Sequence, residues 1–425
     1  MANAFSKEER VAFEDILEGF QDALVLSRNV AVYGTDQTMM ERTSDIIWRP
    51  QPYIATSIDG APGTDISASY KNMTQLSVPA TIGFSKTVPW TLNAKELRDA
   101  LQEGRLGESA KQKLASDINV ALMNLASAQG TLFVKRTAAA SGFDDVAQCE
   151  AIFNEQGIPS FDRYLALSTR DYNGMASNLA GRQTMQGKPV TAYEKAYVGM
   201  VASFDTYKLD YANRQAAAGG GAGITIDTRD AAVNYYIPQA TSTSVGGKIN
   251  VDNRYQTITV STSAGVAAGD AFTIAGVNAV HHITKGDTGQ LKTFRVISVP
   301  AGGTTLVISP PIISNQVAAD ASAQYQNCVV NTKAANSAIV FLNTVAGYTN
   351  PFWQKDSMEI LPGRYAVPTD AGTAVMRAST DQGLELVMQK FYDIDTMVTK
   401  YRLDTLFGVV NKQPEMSGIM MFSQT

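Results

Sequence analysis

The sequence is poor in the residues that most chemistry needs. It has two histidines and two cysteines in 425 residues. The histidines are neighbours, His281 and His282. Adjacent side chains of a strand point to opposite faces, so the pair is not a two-ligand metal site by itself. No nucleophile-elbow sequence accompanies them, and a Ser-His-Asp site has nothing to build on. Cys149 and Cys328 lie far apart without metal-like spacing, which reads as two reduced, partly buried thiols of a cytosolic product. Charge is sparse as well, at 18% of residues, with a net charge of -5 from 35 Lys plus Arg against 40 Asp plus Glu. A chain that grips nucleic acid needs a concentrated basic patch. Here the bases are scattered, with a mild concentration at Lys111, Lys113, Lys135 and Arg136. No stretch holds 18 uninterrupted apolar residues, so no membrane span is expected. The first ten residues, Met1 to Arg10, carry no apolar run of the signal-peptide kind, which predicts no secretion.

Loops that resemble ligand sites also fall short. Gly219-Gly220-Gly221-Ala222-Gly223 lacks the Lys-Ser/Thr ending of a phosphate loop and the spacing of a dinucleotide loop. It reads as a linker, flexible or tightly turning. Asp227, Asp230 and Asp252 have no calcium-loop order. Asp144 and Asp145 sit at a helix start, where carboxylates are favoured anyway. The expectation is no catalytic, cofactor-binding or metal residue, no cofactor, and no enzyme.

What is present is material for several packed layers. Apolar residues make up 44% and glycines number 33, which suits two or three domains rich in turns. Residues 6–32 read as a helix. Ser6 and Glu9 form a capping box, and Phe13, Ile16, Leu17, Phe20, Leu24 and Val25 make one apolar stripe. That stripe packs on its own core or on a neighbouring subunit, and an ordinary surface helix is the simpler reading. Residues 46–90 read as a long two-stranded ribbon. Ile46-Ile47-Trp48 is followed by a turn-rich stretch, then by alternation through Leu76, Val78, Ile82 and Phe84. Such a ribbon is marginal alone and needs something to lie on. Residues 93–129 are the strongest helical segment, capped by Asn93 and Glu96 and interrupted at Gly104 and Gly107. Ala110, Leu114, Ile118, Leu122 and Leu125 form its stripe, and Gly130 is read as a left-handed stop.

Residues 130–222 alternate between strand and helix, with Ser168 and Asp171 as a further cap. Beyond the glycine run the chain becomes almost purely β to about residue 345. Several short, evenly spaced strands there predict a small inserted barrel. From about 346 the main body resumes with strands at 358–361, 374–378 and 396–410. The stretch 384–391 fits either a strand or a helix. The class is α+β.

Particular residues carry a resemblance. Asn250-Val251-Asp252-Asn253-Arg254-Tyr255, Gly269 to Val277, Thr293 to Ile297 and Ile308-Ser309-Pro310-Pro311 closely resemble the inserted domain of the coat proteins of phage P22 and its relatives. Ile46 to Pro50, Ala94 to Ala100, Phe352-Trp353 and Tyr401 to Ile419 match the same family in order. The resemblance implies the HK97-like coat fold with an inserted small β-barrel domain. It implies an N-terminal arm at 1–45, an extended loop at 46–90, and a peripheral domain with a spine helix and the first part of an axial domain at 91–222. The barrel would occupy 223–345, and 346–425 would return to the axial and peripheral domains. It further implies a major capsid protein of the virion, assembled in the host cytoplasm as hexamers and pentamers of a T=7 icosahedral shell. Its partners would be copies of itself, a scaffolding protein and a portal protein. The procapsid would expand as double-stranded DNA enters, and the DNA would be enclosed without sequence-specific binding. A slightly acidic wall suits that role, because a container need not hold its contents tightly.

One departure concerns the loop at 239–248. In the family it carries acids that pair with a neighbouring capsomer. Here Gln239 to Lys248 is rich in Ser, Thr and Gly, and Lys248 is its only charge. The alternatives there are hydrogen-bonded contacts, or contacts through Lys248 or Asp252. Other classes fit less well. A spine helix plus a barrel argues against a tail tube, and the missing acid/base pair argues against a hydrolytic surface protein.

Overall fold

The computed structural model describes residues 5–34, 46–51, 57–58, 60–63, 65–70, 73–102, 107–180, 198–209, 211–221, 223–226, 235–238, 241–244, 247–316, 320–330, 337–367 and 373–425. Its helices are α1 (Lys7–Ala23), α2 (Ala94–Gln102), α3 (Glu108–Gln129), α4 (Phe143–Glu155), α5 (Thr169–Ala180) and α6 (Asp320–Tyr325). Its strands begin with β1 (Ala31–Val32), β2 (Ile47–Pro50), β3 (Ser77–Ala80), β4 (Phe84–Asn93), β5 (Leu132–Lys135), β6 (Arg163–Ser168), β7 (Met200–Val201), β8 (Phe204–Leu209) and β9 (Arg214–Gln215). Then come β10 (Thr241–Ser244), β11 (Gly247–Asn250), β12 (Gln256–Thr259), β13 (Ala271–Val280), β14 (Asp287–Ser298), β15 (Thr305–Ser309), β16 (Cys328–Val330) and β17 (Ile339–Phe341). The last are β18 (Gly347–Tyr348), β19 (Asn350–Gln354), β20 (Met358–Pro362), β21 (Ala374–Ser379), β22 (Glu385–Asp393), β23 (Val398–Asn411) and β24 (Ser417–Met421). The texture is α+β, as the sequence predicts. The chain forms two compact units, each built from discontinuous segments.

The first unit gathers 1–47, 80–124 and 358–410. Its sheet runs β1-β20-β23-β22-β21, and β4 also pairs with β23. β4 and β23 stay in register from Asn93 opposite Val398 to Phe84 opposite Phe407. Of the segment 46–90 read as a ribbon, the part from Phe84 onward therefore belongs to this sheet. Its aromatic side chains find partners on β23: Phe84 stacks on Phe407 at 5.3 Å and Trp90 on Tyr401 at 5.6 Å. The stretch 384–391 is strand, because it is held by β21 on one side and β23 on the other.

Helix α1 buries Phe13, Ile16 and Phe20, with Leu24 just past its end, while Val25 is exposed. The helix stops at Ala23 and not at 32. Asn119 of α3 explains the stop. Its Nδ2 donates to the Ala23 carbonyl at 3.0 Å and its Oδ1 accepts from the Leu26 amide at 3.2 Å. A carbonyl that the helix end leaves open and an amide of the chain just beyond it are thus satisfied by one side chain. The chain then turns through a 3-10 segment, Ser27–Asn29, into β1. On α3, Ala110, Leu114, Ile118 and Leu122 are fully buried. Of the predicted interruption, 103–106 lie outside the described residues. Gly107 is left-handed at φ +74, and a Cβ there would come within 2.7 Å of Ile16.

The second unit gathers 48–79, 125–357 and 411–425. One sheet runs β5-β24-β19-β6-β8-β7. Phe153 of α4 meets Phe204 and Phe352 of this sheet at centroid distances of 5.4 and 5.2 Å. A second sheet runs β12-β15-β14-β13-β16, with β17 also on β13. Thr225 bridges Ala338 and Ile226 bridges Val260. The hydrogen-bonded path therefore passes from β17 through β13, β14, β15 and β12 back to β17. This ring encloses Ile258, Phe272, Phe294, Leu306 and Ile308.

Gly219 and Gly220 are not a slack tether. A Cβ on Gly219 would lie 2.7 Å from the Gly265 carbonyl oxygen, and one on Gly220 would lie 2.6 Å from the Phe341 ring. Close approach requires glycine at both. Gly130 is likewise not the predicted left-handed stop, for its φ is not positive. A Cβ there would meet the Ala126 carbonyl at 2.8 Å and the Gly418 amide nitrogen at 3.0 Å.

Candidate functional site

The two histidines and two cysteines of the sequence sit in local packing contacts. The His281 Nδ1 accepts from the Thr284 amide at 3.3 Å, and its ring lies where a Gly157 side chain would be. The His282 amide donates to the Gln156 carbonyl at 3.0 Å. Burial pushes the His282 imidazole down to about 4, against the pull of Glu415. Cys149 and Cys328 are free and buried. Burial raises both thiols, Cys328 to about 12. Among the described residues no three His, Cys, Asp or Glu side chains are placed to hold a metal ion, and no helix is long and apolar enough to cross a membrane.

Several of the charged residues named above have local partners. Asp145 accepts from the Ser141 and Gly142 amides at 2.7 and 3.1 Å and from Arg136 Nε at 2.6 Å. It is a buried helix cap. Lys113 pairs with Asp117 at 2.5 Å, and Lys135 donates to the Thr425 carbonyl. The mild basic concentration is thus spread over separate contacts. Asp252 accepts from Arg254 Nη2 at 2.7 Å, and Arg254 Nη1 also donates to the Asn411 carbonyl at 2.8 Å. Asp227 and Asp230 lie outside the described residues, as does the Lys248 side chain.

Surfaces suited to contact are easier to find. The ribbon is short: β2 and β3 pair at its base. The base is held by α6, because the Tyr325 hydroxyl accepts from the Leu76 amide at 3.3 Å and Gln324 Oε1 accepts from the Thr74 amide at 3.2 Å. Gln51 Nε2 donates to the Lys412 carbonyl at 2.9 Å. Beyond this base the loop presents Ile58, Ile66, Tyr70 and Met73 to solvent, Tyr70 at 80% exposure. The end of β22 and the turn into β23 are similar: Phe391, Tyr392, Ile394 and Met397 are exposed, Ile394 at 78%. Apolar side chains collected on protruding turns mark contact surfaces better than singly scattered ones do.

The N-terminal helix is the opposite case. Glu9 is 1% exposed. It accepts from the Ser6 amide at 2.8 Å and from Lys390 Nζ at 2.7 Å, and it takes the Tyr401 hydroxyl. Burial raises the Glu9 carboxyl, but these hydrogen bonds and the Lys390 charge together hold it below the ordinary value of 4.5. The capping box of the sequence reading is therefore also the bolt that fixes α1 to β22 and β23 of its own unit.

Solved structures and one family model resemble this chain. A chain of the capsid structure of the cyanophage P-SCSP1u is 9% identical, over 93% of this chain and 86% of that chain, with a TM-score of 0.41. A chain of the mature capsid of bacteriophage PhiM1 is 10% identical over 93% and 86%, with a TM-score of 0.42. The I-domain of the CUS-3 coat protein is 41% identical over 29% of this chain and 99% of that chain, with a TM-score of 0.22. The family model described as P22 coat protein, gene protein 5, matches residues 1–423. On that match the chain belongs to the P22 coat protein family, a structural family of tailed-phage capsid subunits and not an enzyme family.

Proposed function

We propose that this chain is the shell subunit of a tailed phage that forms hexamers and pentamers of a T=7 icosahedron. Assembly proceeds in the host cytoplasm around a scaffolding protein, and the procapsid expands as double-stranded DNA enters through a portal. The family match over residues 1–423 carries this reading. In it, 1–45 acts as an N-terminal arm, 46–90 as an extended loop, and 91–222 with 346–425 as peripheral and axial domains. The ring within 223–345 is the inserted barrel. The exposed apolar residues of 57–73 support the loop's part, since a protruding strand pair with open backbone groups finds partners on another chain. Deleting 57–72 should leave a soluble monomer with unchanged circular dichroism and abolish closed shells in electron micrographs. Normal shells from the deletion would overturn the reading of the loop. Expression of the intact chain with and without a scaffolding protein tests the wider proposal, which fails if neither gives closed particles.

A further inference from the structure

The last turn of α3 ends without a basic residue of its own. Such a turn exposes carbonyls and carries the negative end of the helix dipole. The cation comes from the ring instead. Arg295 of β14 is 1% exposed, and its Nη2 donates to the Ser127 carbonyl at 2.8 Å. Two residues earlier on the same strand, Thr293 Oγ1 donates to the Thr131 carbonyl at 2.9 Å. In a strand, positions 293 and 295 share a face. Phe294 and Val296 point into the ring core, so 293 and 295 form the outward face. That face therefore holds both sides of Gly130, the point where helix becomes strand.

The rest of the setting makes Arg295 an expensive residue to keep. Its Nε and Nη1 are buried and have no hydrogen-bond partner among the described residues. The carboxylate whose charge acts on it, Asp270, is already engaged by Asn343 Nδ2 at 2.9 Å and the Ala267 amide at 2.9 Å. A buried, half-paired guanidinium is destabilising for the ring taken alone. Among the described residues its short hydrogen bond is to the helix end, with a longer one to Gln215 at 3.4 Å.

We propose that Arg295 and Thr293 are positioning residues that clasp the C-terminal turn of α3, so that the ring and this turn move as one body. The inference goes beyond the shell reading and does not depend on it, because it can be tested on the monomer. Hydrogen exchange should be followed on full-length wild type and on Arg295→Met, which keeps the bulk and removes the donors. Amides at 125–131 are expected to exchange roughly tenfold faster or more in the variant, while 271–280 and 305–309 in the ring keep their protection. Unchanged exchange at 125–131 overturns the clasp. So does a loss spread equally over the ring strands, because Arg295 would then serve only the ring's own stability. Should Arg295→Met fail to fold, Thr293→Val, which leaves the guanidinium in place, is read by the same two criteria at 129–133.

Discussion

Glu9 shows how one side chain is read by two sets of neighbours. Replacing it by alanine removes the partner of a mostly buried Lys390. An uncompensated buried charge of this kind is destabilising by about 3 kcal/mol, and urea unfolding should show the loss as a lower midpoint. The pH dependence has a definite sign. The folded carboxyl titrates below its ordinary 4.5, so between the two values the unfolded chain binds more protons. The stabilisation is complete above about pH 4.5 and disappears as pH falls through the folded value. Glu9→Gln should remove that part of the acid dependence, and an unchanged acid limb in the variant would count against the bolt. The thiols give a second test at this scale. Both are buried and shifted upward, so a thiol reagent should label neither until the protein unfolds. Rapid labelling of native protein would contradict their placement. The reciprocal cap between Ser6 and Glu9 was legible in the sequence because its partners are three residues apart. Lys390 and Tyr401 were not, because nothing local marks a contact across 381 and 392 positions.

Among the elements, periodicity was a good guide where one chain segment decides its own state. The stripe on α3 is buried from Ala110 to Leu122, and the capped starts at Ser6, Asn93 and Ser168 have the hydrogen bonds the sequence implied. It failed where a distant side chain or backbone sets the boundary. Asn119 ends α1 early, and β23 draws β4 out of the ribbon. Glycine was misread for the same reason. At Gly130 the constraint is a neighbour's closeness and not a backbone angle. Gly418 is its counterpart, where a Cβ would lie 2.5 Å from the Leu132 carbonyl. Gly418→Ala must push β5 and β24 apart, and a loss of about 2 to 3 kcal/mol is expected from such overpacking. Thermal unfolding measures it, and an unchanged midpoint would show that the strands can yield.

For the whole molecule, the family was readable from ordered matches along the chain, whereas the division into units was not. The chain enters each unit repeatedly, and a linear list of segments does not show which ones share a core. Charge acts at this scale as well. Each copy carries a net charge of -5, so copies repel one another at long range. Salt shortens that repulsion to about 8 Å at physiological ionic strength. Light scattering should therefore show assembly starting at a lower protein concentration as salt rises from about 0.05 to 0.15 M. The opposite trend would mean that attraction between ion pairs governs association.

The place of β24 has a consequence for synthesis. It lies between β5 and β19, inside its sheet and not at an edge. On the ribosome it emerges after every other strand of that sheet, so β5 and β19 wait with an open slot between them until it arrives. A chain released before residue 417 lacks the piece that joins them. Incomplete translation products are thereby kept from a stable native form, and a lattice of many identical copies is spared subunits that would fit at one edge and fail at the next.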